Sequence, residues 1–107
     1  MFGLFAKKEM NIAAAETFWS WFAEQEAWII ENLPVNGMDV VFAIDERIKP
    51  VFPYFRKELE FQLGFNDGKG EFFFFHFGNR NLIQDAHILK SMMPASLAER
   101  WTFIMER

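Results

Sequence analysis

The sequence predicts an α+β domain with elements in the order α-α-β-β-α-β, built as a small mixed sheet with helices packed on it. Three observations predict it. A long amphipathic helical pattern opens the chain, two alternating segments flank a glycine-containing turn, and a further helical pattern separates the second of these from a last alternating segment. At 107 residues the chain is the size of one domain, since two independent cores would each be too small to stand alone. Residues 1–107 are therefore read as a single α+β domain.

Asn11 is a natural N-cap for a first helix running to about Leu33, because its short side chain can accept from the free amides of the first turn. Steps of about 100° per residue place Ala15, Phe18, Trp19, Phe22, Ile29, Ile30 and Leu33 on one arc, with Glu16, Thr17, Ser20, Glu24 and Glu31 opposite. Pro34 and Gly37 end that helix. Asp39 can cap a second, with Val40, Val41, Ile44 and Ile48 at helical spacing, and Pro50 stops it by pushing the residue before it out of the helical region. The link from Pro50 to Phe55 contains two prolines and reads as a rigid connector.

From Glu58 to Phe65 polar residues (Glu58, Glu60, Gln62) alternate with apolar ones (Leu59, Phe61, Leu63, Phe65), the pattern of a half-buried strand. Asn66 to Gly70 carries turn chemistry, and Glu71 to Phe77 resumes as a second strand, giving a β-hairpin. Asn79 or Asn81 caps a third helix to about Met93, with Leu82, Ala86, Leu89 and Met93 as its inner stripe. The last strand is Arg100 to Glu106. The second strand, third helix and third strand form a crossover unit with the two strands parallel. A ferredoxin-like sheet would hold another strand between them, a place that Phe2 to Phe5 or a partner chain could fill.

Composition narrows the function classes. A hydrophobic fraction of 51% with 24% charged residues excludes a disordered chain, and fifteen Phe with four Trp supply much buried area per residue. A net charge of −4 opposes general affinity for nucleic acid or for an anionic membrane surface. The absence of cysteine removes thiolate metal sites and thiol nucleophiles and suits a reducing compartment. Met1 to Ala6 is apolar but too short for a signal core, with Lys7 and Lys8 after it instead of before it, so a cytoplasmic location is expected. No apolar run approaches the length of a membrane helix.

The segments Phe18-Trp19-x-Trp21-Phe22-x-x-x-Glu26 and Leu59-Glu60-Phe61-x-Leu63-Gly64, the glycine-turned hairpin and the closing stretch from Pro94 to Trp101 together resemble a group of small bacterial proteins of unknown function. The resemblance spans most of the chain and implies no activity. No functional residue is carried over from it.

Glu26 is the most informative polar residue, because the helical projection sets it inside the apolar arc between Trp19 and Ile30. A buried carboxylate must be paired or protonated. One reading makes it a general acid/base or ligand-pairing group. The other makes it half of a structural ion pair with Arg100 or Arg47, or a side chain reaching past the arc to water. His76 and His87 would need a carboxylate such as Asp85 or Glu71 to form a metal site, and nothing in their spacing brings them together. No metal and no cofactor is expected. Gly68-Lys69-Gly70 lies between strands, without the helix N-terminus that a phosphate cradle uses. Ser20, Ser91 and Ser96 show no nucleophile pattern.

An excess of apolar surface remains. Paired strands share their faces, so either Phe72 and Phe74, or Phe73, Phe75 and Phe77, fall on the side of Glu58, Glu60 and Gln62. That side needs a cover, from a helix of the same chain or from another chain. Trp21 and Trp28 add an aromatic strip on the first helix, of a kind enriched at interfaces. The favoured reading is a non-enzymatic interaction or regulatory domain that forms a homodimer or binds a protein partner through Trp21, Trp28 and Phe72 to Phe75. The alternative is a small enzyme or ligand-binding domain using Glu26, His76 and Arg100 in an aromatic-walled pocket.

Overall fold

The computed structural model describes residues 9–105 and has the predicted element order. Helices α1 (Ile12–Glu24), α2 (Glu26–Asn32) and α3 (Gly37–Ile48) come first, followed by a 3-10 turn, Lys49–Val51. Strands β1 (Glu60–Asn66) and β2 (Lys69–Phe75) form the hairpin, and α4 (Arg80–Ser91) with the short α5 (Ala95–Ala98) leads to β3 (Trp101–Met105). The sheet order is β1-β2-β3, antiparallel in the first pair and parallel in the second.

The predicted first helix divides at Gln25, whose ψ of 8° lies outside the helical range while its N–H still bonds Trp21 O at 2.9 Å. Ile29 is fully buried, whereas Ile30, assigned to the core by a straight projection, is 42% exposed. Asn11 caps α1 as expected, accepting from Ala14 N–H at 3.0 Å. The cap residue of α3 is Asn36 and not Asp39, which sits one turn inside, where a carboxylate favours the positive end of the helix dipole. Asn79, not Asn81, caps α4 by accepting from the amides of Asn81 and Leu82.

The hairpin turn is tighter than its five turn-forming residues suggest. Asn66 pairs with Lys69, leaving two central residues with positive φ, Asp67 at 55° and Gly68 at 77°, the geometry that matches the twist of the flanking strands. The strands therefore shift: Glu58 and Leu59 precede β1, and Phe77 leaves β2 with a φ of 55°. β2 and β3 are direct neighbours, with Phe72 opposite Phe103, so no strand lies between them as a ferredoxin-like sheet would require. Phe2 to Phe5 lie outside the described residues.

One face of the sheet carries the core. Phe72 stacks with Phe61 and Phe103, ring centroids 5.3 Å away on each side, and Phe18 and Phe22 of α1 meet it from above at 6.2 Å. Each such buried ring contributes about 1.5–3 kcal/mol by removal from water. Trp19 buries its indole but donates Nε1–H to Leu89 O at 2.8 Å, so α1 is tied to α4 without an unpaired donor. The buried apolar side chains of all five helices join this cluster. The helices thus pack on one side only.

Candidate functional site

Glu26 begins α2, and its side chain is 14% exposed. Arg100 Nε and Nη2 donate to its two oxygens at 2.7 and 2.9 Å, and Trp101 Nε1 donates to Oε2 at 3.0 Å. The expected pairing is with Arg100, while Arg47 lies over the Trp21 ring at 5.5 Å. Chiefly through the Arg100 hydrogen bond, against the opposing effect of burial, the carboxyl is held below its ordinary range. A general acid or base needs a pKa near the working pH. With both oxygens engaged and its pKa lowered, Glu26 instead clamps α2 to the start of β3.

His76 is buried just past the other end of β2, where Nδ1 accepts from Gly78 N–H at 2.9 Å. Gly70 pairs with Trp101 at the near end, so six residues of extended chain, roughly 20 Å, separate the Glu26 pair from His76. They cannot line one small pocket, and a shared site of Glu26, His76 and Arg100 is not what the fold assembles. His76 and His87 do border the same open hollow beside β3, together with Lys90. Among the described residues no three His, Asp or Glu side chains come together to hold a metal ion.

Sequence reading missed a second buried carboxylate. Asp85 is 8% exposed and accepts from Tyr54 O–H at 2.6 Å. The signal was present, because residue 85 falls on the same stripe as Leu82, Ala86 and Leu89. Burial first, then the hydrogen bond to this carboxylate, push the Tyr54 phenol above its ordinary range. Tyr54 also borders an open groove of about 610 Å³ whose walls include Phe55, Lys57, Phe77 and Asn79. Among the described residues no buried side-chain nitrogen or oxygen lacks a hydrogen-bond partner.

The aromatic surface is distributed differently from expectation. Phe72 and Phe74 are 1% and 0% exposed and belong to the core, so they are not interface residues. Phe73 and Phe75 point to the opposite face, ring centroids 5.0 Å apart, in rows with Gln62 and Glu60 of β1. Ile104 continues the Phe73 row, and Glu71 and Thr102 complete the surround. These apolar residues lie outside the core cluster, and no described helix is left to cover them. Trp21 and Trp28 are half-buried against the core.

No protein-family model, curated protein or solved structure matches this chain, so the resemblance carried by the Phe18-Trp19 segment and the hairpin rests on those residues alone. Among the described residues no helix is long and apolar enough to cross a membrane.

Proposed function

We propose that this is a non-enzymatic interaction domain that self-associates, or engages a protein partner, through its hairpin, whose open aromatic face and free edge no described helix or strand covers. One observation carries the reading. All the described helices contribute to the core on one side of the sheet, leaving Phe73, Phe75 and Ile104, each half-buried, on the other. A three-stranded sheet this apolar on its free side gains by covering that side, because each aromatic ring removed from water is favourable. The rim of Glu60, Gln62 and Glu71 suits an interface whose polar edge stays near solvent. The free edge of β1 borders this surface, and on the helix side of that edge Phe65 is 46% exposed, its ring 5.5 Å from that of Trp101. Charging the open face and the free edge of the hairpin together, with Phe73→Lys and Phe65→Lys, should reduce the mass in solution to that of one chain while the circular dichroism spectrum is kept. An undiminished assembly in that variant would contradict the reading.

A further inference from the structure

We propose that two copies of this chain pair through the free edges of β1, antiparallel about Leu63, so that their sheets run on as one. The inference rests on the self-association reading above and places the contact between copies at the hairpin's free edge, not on the open face of Phe73 and Phe75. Gly70 N–H donates to Arg100 O at 2.9 Å and so points away from β1. Its antiparallel partner Phe65 must then direct its own N–H and C=O away from β2. The period of two repeats this at Leu63 and Phe61. β1 thus presents three outward backbone pairs at an edge that no described strand occupies, the feature through which strands recruit further strands. The other edge, β3, borders the hollow of His76, His87 and Lys90 on the α4 side.

The occupant is argued from the strand's own sequence, Glu60-Phe61-Gln62-Leu63-Gly64-Phe65-Asn66. Inverted against itself about Leu63, all seven residues pair, and the outward-pointing residues meet one another, as hydrogen bonding requires. Phe61 falls opposite Phe65 of the second copy, a favourable aromatic cross-strand pair. Glu60 falls opposite Asn66 of the second copy, with that copy's Lys69 next in the row, so no like charges oppose. Gln62 falls opposite Gly64, and Leu63 meets Leu63 on the two-fold axis.

Two hollows flank this edge, one at each end of β1. A hollow of about 300 Å³ lies beside Phe61, walled by Val41 and the 58%-exposed Phe42 and bordered by the carboxylates of Asp45, Glu58 and Glu60. Another of about 570 Å³ lies beside Phe65, walled by Ile30, Leu33 and Pro34. The two-fold brings Phe65 of the second copy to the first hollow and its Phe61 to the second. Both copies gain the same contacts, as a closed two-fold dimer demands. The open faces bearing Phe73 and Phe75 then become parts of one wider surface.

The test uses two single-cysteine variants of a chain that has no cysteine of its own. Gln62 is exposed and a Cβ at Gly64 meets nothing within 4 Å, so Gln62→Cys and Gly64→Cys should both fold. In the proposed register these positions form a non-hydrogen-bonded pair with Cα atoms about 4.5 Å apart, close enough for a disulfide. Mixed, exchanged under reducing conditions and then oxidised, the two variants should give a covalent heterodimer, and neither should cross-link alone. Phe73→Lys by itself should leave the dimer intact. A wild-type dimer whose mixed variants do not cross-link, or whose Gln62→Cys chain links to itself, overturns the edge register while self-association stands. Dissociation by Phe73→Lys alone likewise moves the contact to the open face and overturns it. A single-chain mass at every concentration overturns both.

Discussion

Glu26 and Arg100, 74 residues apart in sequence, form a two-point ion pair at 2.7 and 2.9 Å that fastens α2 to the start of β3. The lowered pKa of Glu26 means its contribution is fully present above the ordinary carboxylate value of 4.5 and is lost as pH falls through the folded value. Glu26→Gln should therefore cost about 1 kcal/mol at neutral pH, less than a fully buried charged hydrogen bond because much of Arg100 meets water. In denaturant unfolding, the gap between wild type and variant should close as pH drops below the carboxylate range. A gap that stays constant down to strongly acid pH would contradict the assignment.

Gly70 is required by its neighbour. A Cβ there would lie 2.5 Å from Cε3 of Trp101, whose ring also meets Phe22 edge-on at 5.0 Å. Gly70→Ala should destabilise by about 1–3 kcal/mol through overpacking. Gly64→Ala, in the same hairpin with open space around it, should stay within about 0.5 kcal/mol of wild type. Equal effects at the two positions would refute the close approach.

Tyr54 is the only tyrosine, so its phenolate absorbance reports a single group. The native phenol should ionise well above 10.0, because burial and the Asp85 carboxylate both favour the neutral form. The unfolded chain ionises near the ordinary value, so stability should fall as pH rises past it, and Tyr54→Phe should remove that alkaline loss. Native titration near 10.0 would show that the Tyr54–Asp85 contact does not hold in solution.

The element order was legible because each segment's period matches its structure: Leu82, Ala86 and Leu89 repeat as a helix, and Leu59 to Phe65 alternate as a strand. The Glu26 partner was legible in part, since a carboxylate on an apolar arc needs a cation, but the choice between Arg100 and Arg47 depends on tertiary placement. The bend at Gln25 was not legible. No Pro or Gly marks it, and a constant angle per residue carries Ile30 into the core in error. The open face was foreseen as one of two alternatives, because hairpin register follows from the turn and Asp67 adopts a positive φ that Asp takes less readily than Gly. Asp85 was considered only as a carboxylate for the histidines, and its burial was missed although its helical phase placed it inward.

The account depends most on the claim that the hairpin, through its open face or its free edge, is an association surface. Sedimentation equilibrium of the untagged wild-type chain over a wide concentration range tests it most directly. The predicted result is a mass that rises with concentration from one chain to two. A strict single-chain mass up to the highest soluble concentration would contradict self-association.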